Sequence, residues 1–232
     1  MNSLGVTIII PAYNEERSIG RVISETISIM DDLYIPYEII VIDDGSTDQT
    51  GIIASGYKVT LLSNESNRGK GYSLRRGLGQ AQGRIIVTLD ADGEHKPKEI
   101  PGLIQPLFYG VDIVAGSRFL GVQSQVTKRI NQIGNFFFNA AIMILTRQTV
   151  TDSQTGFRAV RKDVLDKLNL RSNGYEIETE ITVKGLMNGF VFKELPVSIE
   201  RRRYSVSKLK LLSDGTKILK TIVTSSFEGA RH

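Results

Sequence analysis

Arg84-Ile85-Ile86-Val87-Thr88-Leu89 runs without a break into Asp90-Ala91-Asp92-Gly93-Glu94. The first part is short, continuously apolar and rich in β-branched side chains, which predicts a strand buried on both faces. It stops on two carboxylates one residue apart. In an open parallel sheet, side chains at the carboxyl ends of strands are the ones that meet ligands.

The same pattern recurs on either side. Val6–Ile10 is stopped by Pro11-Ala12-Tyr13-Asn14-Glu15, Glu38–Ile42 by Asp43-Asp44-Gly45-Ser46, and Asp112–Ala115 by Gly116-Ser117-Arg118; Val59–Leu62 is a further apolar run. Helical stretches separate them. Glu15–Met30 carries Ile19, Val22, Ile23, Ile27 and Met30 at helical spacing, and helices are also predicted over Gly71–Ala81 and Pro97–Tyr109. Alternation of this kind predicts an α/β fold with a mostly parallel central sheet and helices on both faces. It collects four polar strand ends on one edge. Beyond Arg118 the pattern loosens into a helical pair around Lys128–Arg147, a loop at Thr151–Phe157 and a helix at Glu178–Met187.

Composition sets outer bounds. A chain of 232 residues suits one large domain, and there is no Cys and only two His, so neither disulfides nor a thiolate or multi-histidine metal site is available. The net charge of +4 favours anionic partners. Its late basic run, Arg201-Arg202-Arg203 with Lys208, Lys210, Lys217 and Lys220, reads equally as a solvated face. A nucleic-acid-binding domain would account for the charge but not for acidic strand ends, so no nucleic-acid partner is expected. No secretory signal is read at the start, and no apolar run reaches the roughly 18 residues needed to cross a bilayer.

The strand ends carry the chemistry. Asp90 and Asp92 are hard oxygen ligands suited to Mg²⁺ or Mn²⁺ completed by diphosphate oxygens and water, with Glu94 a third carboxylate two residues on. Asp43-Asp44 exceeds what a helix cap requires, and one carboxylate could accept a hydrogen bond from the N–H of a base. Asn67-Arg68-Gly69-Lys70-Gly71 is a turn into a helix where phosphate would be attracted. Neither a Walker spacing nor a GxGxxG follows a strand, which argues against those nucleotide folds.

Together these segments resemble the inverting family-two glycosyltransferases of GT-A fold, and within them the polyprenol-phosphate (dolichol-phosphate) sugar synthases. The matching residues are Pro11–Glu15, Asp43–Asp48, Asn67–Gly71, Asp90–His95, Gly116–Arg118, Asp152–Arg158 and Arg202–Lys208, in order over nearly the whole chain. The resemblance implies a single GT-A domain. Its first half, to about residue 118, would hold the nucleotide-sugar through Pro11, Tyr13, Glu15, Asp44, Lys70, Asp90, Ala91 and Asp92. Asp90, Asp92 and Glu94 would bind the divalent ion, Glu94 as ligand or from behind one. The second half would present Arg118, Arg129, Arg202 and Lys208 to an acceptor phosphate, with Asp152 orienting Arg118 or a ligand. Asp92, Arg118, Asp152, Arg202 and Lys208 form the implied catalytic set.

Glu94 stands where many relatives have Gln, Ser205 where Gly is usual, and the C-terminal membrane helices of many relatives are lacking. The implied acceptor, a polyprenyl or dolichyl phosphate, needs no base, because a monophosphate with a second pKa of about 6 is already largely dianionic. Glu178 sits near the place of the base in hydroxyl-directed relatives, and reads equally as a solvated residue. Ile130–Arg147 and Lys208–Phe227 are amphipathic stretches that serve either as core or as interfacial helices with basic flanks. The expectation is a cytoplasmic enzyme, peripheral on a membrane directly or through a small anchored subunit, with the Asn64-Glu65-Ser66 sequon unused. A transferase acting on a sugar hydroxyl, and a non-catalytic nucleotide-sugar-binding domain, are the alternatives.

Overall fold

The computed structural model describes residues 5–120, 129–200 and 211–229; within these, the side chains of 129–133, 211–213 and 229 are left aside. A seven-stranded sheet runs through the molecule. Its strands are β1 (Val6–Ala12), β2 (Tyr37–Asp43), β3 (Thr60–Ser63), β4 (Ile85–Thr88), β5 (Ile113–Ser117), β6 (Arg158–Arg161) and β7 (Phe192–Pro196), in the spatial order β3-β2-β1-β4-β6-β5-β7. All neighbours are parallel except β6, which is antiparallel to both β4 and β5.

The helices are α1 (Ile19–Asp32), α2 (Thr50–Ser55), α3 (Lys70–Leu78), α4 (Ile100–Ile104), α5 (Arg129–Thr146), α6 (Lys162–Leu168), α7 (Ile177–Met187) and α8 (Leu211–Gly229). Pro97–Tyr109 is helical as expected but broken, with α4 flanked by 3₁₀ turns that open near Pro97 and Pro106. The expected helical pair near Lys128–Arg147 is one continuous helix, α5, among the described residues.

Alternation along the strands divides the core into two layers. Ile8, Ile10, Val41 and Val87 face α1 and α4, while Ile9, Ile40, Ile42 and Ile86 face α3, α6 and α7. Each fully buried isoleucine contributes about 1.5–3 kcal/mol over exposure. A third cluster joins Ile142 of α5, Val183 and Leu186 of α7, and Ile218 and Ile222 of α8. Helix α7 therefore belongs to two cores, and every residue from Ile177 to Leu186 is buried. This overturns the solvated reading of Glu178.

Candidate active site

Parallel pairing in register brings the strand ends to one edge: Ala12 lies opposite Asp43, and Ile9 opposite Thr88. A cavity of about 660 Å³ opens there. Pro11, Tyr13, Glu15, Asp44, Lys70, Asp90, Ala91 and Asp92, all eight residues expected to hold the donor, line it together. Tyr175, Asp214 and Lys217 line it as well. In sequence Lys217 is one member of the late basic run, and Tyr175 belongs to no motif.

Asp44 turns inward. Its carboxylate accepts hydrogen bonds from Asn64 Nδ2 at 2.6 Å, Arg68 N at 2.9 Å and Gly69 N at 2.9 Å. Those backbone amides belong to the turn expected to attract phosphate. They are spent on the protein itself, and Tyr72 N is spent likewise on Asn173 O. What this turn offers the cavity is the ammonium of Lys70.

Lys70 Nζ lies 2.5 Å from Asp90 Oδ1 and 2.6 Å from Glu178 Oε1. Burial alone would lower the pKa of this ammonium, but the two carboxylates outweigh burial and hold it above its ordinary value. Burial raises Glu178, against the opposing pull of Lys70. Gly156 makes the cluster possible, because a Cβ there would overlap Lys70 Nζ and both Asp90 oxygens. Its carbonyl also accepts from Thr88 Oγ1 at 2.6 Å.

The carboxylate trio departs from expectation. Asp92 Oδ1 accepts from Glu94 N at 2.9 Å, closing a tight turn at Gly93, and Glu94 does not line the cavity. Among the described residues no three His, Asp or Glu side chains converge as a metal cluster. Glu94, like Asp90, acts electrostatically on Arg118 and His95. Asp90 and Asp92, hard oxygen donors on the cavity wall, still fit a Mg²⁺ or Mn²⁺ ion that takes its remaining ligands from a diphosphate.

Beside this wall Arg118 meets Asp152 in a fork, Nε to Oδ2 at 2.7 Å and a terminal nitrogen to Oδ1 at 2.9 Å, while Arg118 N reaches Oδ2 at 3.1 Å. Asp152 is fully buried. Burial would lower Arg118, but Asp152 more than compensates and holds it above its ordinary value. Glu194 of β7 fixes the loop by accepting from Thr151 N at 2.7 Å and Asp152 N at 2.8 Å. Arg158, fully buried, donates to Ser153 O, Thr155 O and Thr182 Oγ1. Asn135 and Asn139 of α5 both donate to Thr151 O, which ties α5 to the same loop. Arg202, Lys208 and the side chain of Arg129 lie outside the described residues.

The profile of glycosyl transferase family 2 matches residues 7–168, which span the whole donor-side edge. The chain belongs to this family. It is a glycosyltransferase of GT-A fold. A dolichol-phosphate mannosyltransferase of Pyrococcus furiosus is 32% identical over 214 residues, covering 88% of this chain and 59% of that protein. A polyprenol monophosphomannose synthase of Mycolicibacterium smegmatis is 29% identical over 222 residues, covering 87% of this chain and 80% of that one. Among solved structures, glucosyl-3-phosphoglycerate synthase of Mycobacterium tuberculosis, crystallised with Mn²⁺, uridine diphosphate and phosphoglyceric acid, superposes with a TM-score of 0.75 at 24% identity. It covers 96% of this chain and 78% of that one, a likeness of fold.

Proposed function

We propose that this glycosyltransferase moves a hexose from a nucleotide-sugar, GDP-mannose or a UDP-hexose, to a polyprenyl or dolichyl phosphate, with inversion at the anomeric carbon and with Mg²⁺ or Mn²⁺. The observation that carries the choice of acceptor is Glu178. Glu178, the carboxylate that the resemblance places near a hydroxyl-activating base, is buried in α7, held by Lys70 and absent from the cavity wall. A phosphate acceptor needs no base there. The relatives that act on dolichol and polyprenol phosphates support the same choice.

In this reading the catalytic burden is positioning and charge neutralisation. Pro11, Tyr13 and Glu15 hold the nucleoside, and Asp44 shapes its wall through the 64–69 turn. Asp90 and Asp92 would hold the divalent ion, which supplies positive charge to the leaving diphosphate. Lys70 adds a second positive charge on the same side. Arg118, fixed by Asp152, steers the acceptor phosphate, with Arg129, Arg202 and Lys208 as further cations. An acceptor phosphate oxygen attacks the anomeric carbon as its bond to the nucleoside diphosphate breaks, and no proton changes hands.

A lipid acceptor requires access to a membrane surface. No helix among the described residues is long and apolar enough to cross one. Helix α5 exposes Phe136, Phe137, Met143, Ile144 and Leu145, and α8, packed beside it, exposes Leu219, Val223 and Phe227. We assign these faces to peripheral contact with the cytoplasmic leaflet, directly or through a small anchored subunit. The test is incubation with Mg²⁺ or Mn²⁺, a polyprenyl phosphate and a panel of nucleotide-sugars, the glycolipid being read by mass spectrometry. One donor should yield a hexosyl-phosphoryl-polyprenol. Absence of lipid product from every donor, with sugar hydroxyls accepting instead, rejects the proposal.

A further inference from the structure

Lys70 is shared unequally between its two carboxylates. The Glu178 side chain is only 5% exposed, whereas that of Asp90 is 23% exposed and stands on the cavity wall. Glu178 projects from a helix buried along its length. Withdrawing the ammonium would strand its carboxylate in the interior, which is strongly unfavourable. Asp90 faces the cavity and can exchange one cation for another. Gly156 leaves no side chain between Lys70 and Asp90. Asp90 is also one of the two carboxylates assigned above to the divalent ion, so a cation of the chain itself already stands on it.

On that metal-dependent reading, we propose that Lys70 is a resident cation competing with the divalent ion for Asp90, and that Glu178 is a positioning residue that retains Lys70 when Asp90 is given up. Without donor, Lys70 neutralises Asp90 and keeps the carboxylates of this wall from repelling one another. Once Asp90 is taken up in coordination, Lys70 stays on Glu178 with N–H donors to spare for the diphosphate, since an ammonium has three.

The test is Mn²⁺ binding alone, read from the electron paramagnetic resonance signal of the free ion, for wild type, Lys70→Met, Glu178→Gln and the double variant, each checked for folding by circular dichroism. Lys70→Met should bind Mn²⁺ about tenfold tighter, because Asp90 has lost its competitor. Glu178→Gln should bind about tenfold more weakly, because Lys70 is then left with Asp90 alone. The double variant should match Lys70→Met. If Lys70→Met does not fold, the double variant, in which neither Lys70 nor Glu178 is left charged without the other, carries the comparison with wild type. An affinity that is unchanged, weaker or undetectable without Lys70 overturns the proposal. So does a Glu178→Gln variant that binds normally, or a deficit that persists in the double variant. Neither donor nor acceptor is present in this experiment, so its failure is distinct from failure to glycosylate a lipid phosphate.

Discussion

Asp152 and Arg118 illustrate how a buried pair sets a direction rather than a charge. The carboxylate fixes the guanidinium through two of its three nitrogens and also accepts from the Arg118 backbone N–H. Asp152→Asn keeps the shape but loses the fork, so kcat/KM should fall by about a hundredfold through misplacement alone. Stability should drop by about 3 kcal/mol, as expected when one partner of a buried pair is removed. Steady-state kinetics and urea unfolding check the two together.

His95 makes the opposite case. Its ring is buried beside Phe157, and neither ring nitrogen has a hydrogen-bond partner among the described residues. Burial holds its pKa below the ordinary value, against the pull of Asp90 and Glu94. Above the ordinary value of about 6.5 neither state binds the proton and stability is unaffected. As pH falls below it the unfolded chain binds a proton that the native state refuses, and stability declines toward the lower folded-state value. His95→Phe should remove that part of the slope in melting temperature between pH 7 and 5.5. An unchanged slope contradicts the assignment.

Among the elements, β6 and β7 were the least legible. Continuous apolar runs announced β1, β2 and β4, whereas Arg158-Ala159-Val160-Arg161 and Phe192-Lys193-Glu194-Leu195-Pro196 have no strand pattern of their own. Strand β6 exists because Ala159 pairs with Val87 on one side and Val114 on the other, and such non-local pairing leaves no local signal. Its first residue is a guanidinium buried completely, which composition alone would place at the surface or on a ligand. Glu194 of β7 is equally hidden in sequence, yet it holds the amides of Thr151 and Asp152. Glu194→Gln leaves one good acceptor where two served. Hydrogen exchange at those amides should accelerate, with a stability loss of about 1–2 kcal/mol.

The donor side was legible because short parallel strands end on the residues that line the cavity, and register does the rest. The second half was not, because there the site is built from burial. Glu178 could not be assigned from helical spacing, since α7 is covered from two cores rather than one. The Asp90–Glu94 run reads as three ligands in sequence, but beyond the turn at Gly93 only Asp90 and Asp92 line the cavity.

For the molecule as a whole, the proposed membrane contact rests on the exposed apolar faces of α5 and α8. Phe136 and Phe137 are 69% and 64% exposed, so charging them removes little from the core. Phe136→Glu with Phe137→Glu should abolish sedimentation with anionic liposomes while leaving the melting temperature within about 2 °C. Retained binding would move the membrane contact elsewhere. The central claim is that phosphate, not hydroxyl, attacks the sugar. Its most direct test offers the enzyme its preferred nucleotide-sugar with equal amounts of a short polyprenyl phosphate and the corresponding polyprenol, and counts both glycosylated products. Product from the phosphate alone is the predicted result, and transfer to the alcohol at a comparable rate contradicts it.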